Sequence, residues 1–408
     1  MDNLARIFRA QSGQVLASLM YLSRDLQLAE DALQDACEQA SKKWLVQGVP
    51  ENTVAWLHLV AKRKLIDKLR QQSSQQNPNT LQLIEQSLYV QDDTDLETDY
   101  EVPDERLRLI FICCHPALSE AAQVALTLRT LCGLSVREIA RAYLLSEVAV
   151  GQRITRAKKK IRDAGISYDV PNAKQLSIRL PSVLKVIYLI YNESYSAYEG
   201  QTLNRQDLAN EAIRLSLLMV KLVPNAEVFG LAALMLFHDA RRLSRSSATD
   251  PYITLEQQNR TLWDQDKIEQ ADVFIHKALE YKQRGPYQIQ AAISGLHSRA
   301  KSWETTDWAQ IQLLYMSLFH LHPSPVVALN LAIAKANGGL LKQAYEEVVT
   351  LKNELNQYQP YYAARGELES RLNLTERAIS SISKAISLSK NSIERDFLIK
   401  KRGQLLKL

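Results

Sequence analysis

The sequence predicts an all-α protein. Glycine and proline are sparse, at 13 and 12 in 408 residues. Strong helix formers dominate, and apolar side chains recur at intervals of three and four, the repeat that lines one face of a helix. Strand-like alternation is scarce. A chain of this length exceeds one ordinary domain, so two or three are expected. The 46% hydrophobic content is enough to give each a core.

The first block runs from Met1 to about Arg70. In "DLQLAEDALQDACEQASKKW", Leu26, Ala29, Leu33, Ala36 and Ala40 form one face, and Asp31, Gln34, Asp35 and Glu38 the other. Pro50 to Thr53 make a turn, with Thr53 the expected N-cap. The next helix, "AWLHLVAKRKLIDKLR", offers Trp56, Leu59, Val60, Ile66 and Leu69 for packing. Lys62, Arg63, Lys64, Lys68 and Arg70 give it a basic cluster. An aromatic beside a basic helix supplies a stacking face and phosphate partners, as single-stranded nucleic acid requires; a surface helix with one core tryptophan has the same pattern.

A Gln/Ser-rich segment follows, of the composition linkers have. From Gln91 to Glu105 it carries eight acidic residues and no basic ones. Such a run stays extended, and its charge suits mimicry of a nucleic-acid strand.

The second block spans roughly Asp104 to Ile166. One helix carries "DERLRLIFICCHPALS"; another follows Ser119, with Val124, Leu128 and Leu131 inward. Cys113, Cys114 and His115 lack the C-x-x-C spacing of a metal site, so buried small residues are expected. Gly133 then closes a helix, and Ser135 with Glu138 forms a capping box ahead of Val136, Ile139, Ala140 and Tyr143. Ser146 caps the last helix, in which Val150, Ile154, Ala157 and Ile161 share a face. Ala149, Gln152, Arg153, Arg156 and Lys160 lie opposite. From Leu134 to Asp163, eight Lys/Arg and three Asp/Glu sum to +5, the net charge of the whole chain. Two short helices about a tight turn, the second basic, make a helix-turn-helix whose second helix enters the major groove. Its cations suit phosphates, and its Gln and Arg suit base edges.

The remainder, from about Pro171, reads as helical throughout. "PVVALNLAIAKANGGLLKQAYEEV" and "PYYAARGELESRLNLTERAISSI" share a layout, with Ala344 and Ala378 34 residues apart, the tetratricopeptide period. Two units are too few to stand alone, so they are expected to stack on preceding helices. Glu193, His238, Asp239 and Arg241 invite an enzymatic reading. No nucleophile motif, phosphate-binding Gly loop or metal cluster accompanies them, and buried polar networks explain them better.

Four cysteines suit a reducing compartment. Asp2, Arg6 and Arg9 interrupt any apolar leader, and the longest apolar stretch, around "VFGLAALMLF", is too short to span a bilayer. A cytoplasmic protein without membrane, metal or cofactor is expected.

Two basic helical blocks about an acidic linker resemble an extracytoplasmic-function sigma factor, a promoter-recognition subunit of bacterial RNA polymerase. "AEDALQDA" looks like the part that docks on the polymerase clamp helices. "AWLHLVAKRKLIDKLR" resembles the segment that melts and reads the −10 element, and "LSVREIARAYLLSEVAVGQRITRAKKKIRDAG" the −35-reading domain. "FICCHPALS", "LIYNESYSAYEG", "LMLFHDARR", "GPYQIQAAI", "DTDWAQI", "PSPVVALN" and "YYAARGELE" are similar to a subgroup with a C-terminal tetratricopeptide-like extension. The resemblance implies region 2 over 1–75, a linker over 76–103, region 4 over 104–168, and a helical domain over 172–408 with repeats near 323–390.

By the same resemblance, Asp31, Gln34 and Asp35 would meet the polymerase. Trp56, Arg63, Lys64, Asp67 and Arg70 would handle the −10 strand. Gln152, Arg153 and Arg156 would read or position the −35 duplex, with Lys159 and Lys160 on phosphates. Core RNA polymerase, through its clamp helices and flap, and promoter DNA are the implied partners. The acidic linker would lie in the cleft that later carries RNA. Asn192, Glu193 and Tyr195 are candidates for a regulatory pocket, and the C-terminal domain could take a protein or small-molecule partner. The usual Ala-Arg-Asn of the −10 helix is Ala61-Lys62-Arg63 here, and the subgroup's usual "NEGYSA" carries Ser194 for Gly. An operator-binding regulator with a helical sensor domain is the rival reading; it leaves the Trp56 block and the acidic linker without a role.

Overall fold

The computed structural model describes residues 2–73, 103–143, 145–166, 173–196, 204–247, 250–389 and 392–407. The acidic run lies outside them as far as residue 102; its last residues, Pro103 to Glu105, open a helix instead of staying extended. The described residues form α-helices and three short 3-10 turns, and no strand. The chain divides into two compact units, Met1–Ile190 and Tyr191–Leu408.

The first unit opens with α1 (Asp2–Ser23), α2 (Leu26–Gln47) and α3 (Thr53–Ser73). Arg24, in the left-handed region at φ 52, reverses the chain after α1. Asp25 then caps α2, accepting from the amides of Gln27 and Leu28 at 2.8 and 3.2 Å. The five apolar residues expected to face inward on α2 are all buried. Two expectations for α3 are corrected. The cap is Asn52, whose side-chain oxygen accepts from the Ala55 amide at 3.0 Å; the Thr53 hydroxyl instead accepts from Gln11 Nε2 at 2.5 Å. The inward seam is Leu57, Val60, Ala61 and Leu65, while Leu59 is 42% exposed. Trp56 lies edge-on to the buried Trp44, ring centroids 5.2 Å apart, and this contact sets the rotation of the helix.

Next come α4 (Pro103–Cys113), α5 (Glu120–Thr130), α6 (Val136–Ala142) and α7 (Glu147–Asp163). Cys113 and Cys114 are buried between α4 and α5, with their sulfurs 3.0 and 3.6 Å from the hydroxyls of Thr130 and Thr127. Burial pushes the Cys114 thiol up to about 12 and the Cys113 thiol higher still. These are inert packing groups. Helix α1 packs on this block. A Cβ on the buried Gly13 would sit 2.7 Å from the Leu131 carbonyl oxygen, so only glycine permits the approach. Arg108 lies over the Tyr21 ring at 5.0 Å.

Helix α8 (Ala173–Ser196) crosses the boundary between the units. Its first part joins the first unit through Arg179 to His115 at 3.3 Å and Lys185 to Glu120. Ser194 stands in this helix and donates to the Tyr191 carbonyl at 2.5 Å. The "NESYS" segment is therefore helical as far as Ser196.

The second unit contains α9 (Asn204–Leu222), α10 (Ala226–Ala240), α11 (Gln265–Glu280), α12 (Pro286–Arg299), α13 (Trp308–Leu321), α14 (Pro325–Asn337), α15 (Leu341–Thr350), α16 (Gln359–Arg371), α17 (Thr375–Leu388) and α18 (Ser392–Leu405). Helix α10 is apolar on nearly all sides and buried between α11 and α12, as an all-round hydrophobic helix must be. Glu227 on α10 caps α12, accepting from the amides of Tyr287 and Gln288 at 3.0 and 3.1 Å. A Cβ at Gly230 would meet the Gln288 backbone at 2.6 Å.

The hairpins α14–α15 and α16–α17 repeat one another closely. Gly339 and Asn373 both take positive φ, at 96° and 60°, and stand 34 residues apart. Ala344 and Ala378, and Val348 and Ile382, are matching pairs, all at 0% exposure in one core. Within it the fully buried Glu369 accepts from Arg365 Nε at 2.8 Å, Ser381 Oγ at 2.6 Å and Tyr345 Oη at 3.2 Å.

Candidate nucleic-acid interface

The helix-turn-helix is built as its sequence dictates. Gly133 takes φ 65, which ends α5's extension without strain. The Ser135 amide donates to Glu138 Oε2 at 2.7 Å, and the Glu138 amide donates to Ser135 Oγ at 3.2 Å. These reciprocal bonds are the capping box, and they fix where α6 begins. Ser146 Oγ accepts from the Ala149 amide at 3.1 Å and starts α7. Val150, Ile154, Ala157 and Ile161 are buried, which settles the rotation of α7.

With that rotation, Gln152, Arg156, Lys159 and Lys160 are exposed and Arg153 is half-buried at the edge of the same face. Arg156 donates to Gln152 Oε1 at 3.3 Å, holding two polar tips side by side. Arg156, Lys159, Lys160, Asp163 and Ala164 line a shallow surface depression. Among the described residues, neither Lys159 nor Lys160 has an acidic partner. Exposed cations gathered on one helix face make an anion-binding surface of the kind that takes duplex phosphates.

Lys158 behaves differently. It lies on the flank of α7 and is mostly buried, paired with Glu30 of α2 and 3.3 Å from Gln27 Oε1. Sequence reasoning treated Lys158 as one more charge in the run. Nothing in the local pattern distinguishes it from Lys159, because its partner is 128 residues away.

On α3, Arg63, Asp67 and Arg70 are exposed and share a helical face with Trp56, at spacings close to whole turns. Lys64 is half-buried between that face and the core. Trp56 is itself half-buried, the outer member of a trio with Trp44 and Phe8, the latter two 5.6 Å apart. Lys68, counted in the basic cluster, is paired with Asp35 of α2 at 3.0 Å. On α2, Asp31 accepts from Gln27 Nε2 at 2.8 Å and Gln34 is exposed. The acidic face of α2 is therefore partly occupied from within the unit. Asn192 is half-buried on α8; the side chains of Glu193 and Tyr195 lie outside the described set.

A capped helix-turn-helix with a cationic outer face, packed in one unit with a second helix bearing a tryptophan and cations, is the make-up of a transcription factor. Comparison with known proteins specifies which kind. Residues 7–75 match Sigma-70 region 2, and residues 108–161 match Sigma-70, region 4. Residues 179–279 match a family of unknown function, DUF6596. A protein of Rhizobium meliloti (strain 1021) described as uncharacterized protein R00370 is 41% identical over 391 residues, 94% of this chain and 92% of that protein. The chain belongs to the sigma-70 family, as an ECF-like sigma factor with a C-terminal extension. Its domains support a role in transcription initiation and imply binding of core RNA polymerase and promoter DNA. Among the described residues no helix is long and apolar enough to cross a membrane.

Proposed function

We propose that this chain binds core RNA polymerase, directs promoter-specific initiation, and is controlled by its C-terminal helical extension. The observation that carries the reading is the face of α7, whose exposed Lys159 and Lys160 have no acidic partner among the described residues, in a domain matching region 4. Region 2 takes 1–75, the linker 76–103, region 4 104–168 and the extension 172–408. Gln152, Arg153 and Arg156 contact the −35 duplex, and Lys159 and Lys160 its phosphates. Arg63, Lys64, Asp67 and Arg70, with Trp56, hold the −10 strand. Asp31, Gln34 and Asp35 meet the clamp helices, and the flap engages region 4.

A sigma factor performs no bond chemistry. It lends polymerase a sequence preference through base contacts and captures unstacked bases as the strands part. The Lys158–Glu30 and Lys68–Asp35 pairs tie cations of both DNA-facing helices to α2, the helix that meets polymerase. Docking on polymerase competes with these pairs, so polymerase binding and DNA readiness are coupled. The extension's hairpins are tetratricopeptide-like and take a protein or small-molecule partner, with Asn192, Glu193 and Tyr195 as candidate pocket residues. The protein acts in the cytoplasm.

Run-off transcription on a genomic promoter library, with purified core polymerase and with or without this protein, tests the reading. Transcripts that need the protein and share spaced upstream motifs are expected. Tight duplex binding without polymerase, and no such transcripts, would establish an operator-binding regulator instead. Truncation after about residue 171 should change the transcript yield; an unchanged yield removes the control by the extension.

A further inference from the structure

The C-terminal end of α10 holds a charge that the fold leaves uncompensated. Arg241 is only 7% exposed. Among the described residues, no carboxylate, carbonyl or hydroxyl accepts a hydrogen bond from its guanidinium. Among these residues it rests on the face of Trp263, at 5.9 Å from the ring centroid. The neighbouring buried carboxylate, Asp239, is already engaged by Lys267 at 2.9 Å and Arg242 at 3.4 Å.

The surroundings add positive field. Arg260 lies over the same Trp263 ring at 5.0 Å. Its own donors are satisfied by the carbonyls of His297 and Ala300, both at 2.6 Å. His238 and His297 are held neutral, first by burial and then by Arg241. The Nδ1 atom of His297 is buried, with no hydrogen-bond partner among the described residues. A guanidinium largely screened from water, its tip alone reaching the surface, loses more solvation than a cation–π contact with one ring returns. A counter-anion resolves the imbalance, and the planar fork of arginine suits an oxyanion with two acceptor oxygens.

We propose that Arg241 anchors a binding site, beside Trp263 in the C-terminal unit, for a small oxyanion: a carboxylate or a phosphate. The proposal goes beyond the sigma-factor reading and does not depend on it. Such a site gives the extension a metabolite-sized input separate from any protein partner.

The test is titration calorimetry on the full chain with inorganic phosphate and with citrate, against sodium chloride at matched ionic strength. At least one probe should bind with one-to-one stoichiometry and raise the melting temperature saturably. Phosphate alone binding assigns a phosphate site, and citrate alone a carboxylate site. Arg241→Met should abolish binding yet melt no lower than the parent without ligand, since it removes an unpaired charge. Arg241→Lys, which keeps the charge and loses the fork, should weaken binding at least tenfold; it decides the matter if Arg241→Met does not fold. Failure of both probes overturns the site, even if an acidic peptide binds. So does unchanged binding by Arg241→Lys.

Discussion

Replacing Lys159 and Lys160 together by glutamine tests the face of α7 directly. Both are exposed and have no acidic partner among the described residues, so the fold should not notice their loss. DNA binding should. Each phosphate contact contributes about 0.9 to the slope of log K against log salt on duplex DNA, so losing two makes the slope shallower by about 1.8. Over a fourfold change, as from 50 to 200 mM salt, that slope amounts to roughly a tenfold change in affinity. The parent's advantage should therefore be about tenfold larger at the low-salt end than at the high-salt end. The assay is promoter-duplex binding by the polymerase holoenzyme across that range, with thermal unfolding of the free protein alongside. An unchanged slope with intact folding would refute the assignment of these two lysines to phosphates. A changed preference among sequences at constant slope would refute it too, since it would place them on base edges.

Three further outcomes follow from the packing. Gly13→Ala should destabilise, because its Cβ would meet the Leu131 carbonyl at 2.7 Å, whereas Gly151→Ala, with open space around it, should gain about 1 kcal/mol from helix propensity; thermal unfolding of the two variants reads the opposite signs. Glu369→Ala strands Arg365 in the repeat core and should cost about 3–5 kcal/mol in chemical denaturation. Burial pushes His297 down to about 3 and His238 well below its usual value. Both fold as neutral rings, so their contribution is intact above the unfolded value near 6.5. For His297 it is lost as pH falls from there toward about 3, at up to about 1.4 kcal/mol per pH unit, and the His238 contribution is lost in the same direction. Stability measured from pH 7 to 4 should fall accordingly, and His297→Gln should flatten the decline.

Much of the candidate interface is written locally. Ser135, Glu138 and Ser146 act within three residues of themselves, so capping chemistry fixes the starts of α6 and α7 from sequence alone. The four buried residues of α7 then place its cations, because a helix is rigid about its axis. The same logic failed on α3. Its apolar residues outnumber the positions a core needs, and the period allows more than one rotation. Contact with Trp44 chose the one that exposes Leu59 and half-buries Trp56.

By itself, then, the sequence determined the helical class, the helix-turn-helix, its basic face and the 34-residue repeat, each a product of neighbours within a few turns. Only the tertiary structure decided that Lys158 and Lys68 are paired while, among the described residues, Lys159 and Lys160 are not, that Gly13 admits α1 against Leu131, and that Arg241 is buried without an acceptor among those same residues. The physical reason is the same in each case. A side chain's partner, and the water it gives up, depend on segments far along the chain, which no local period records.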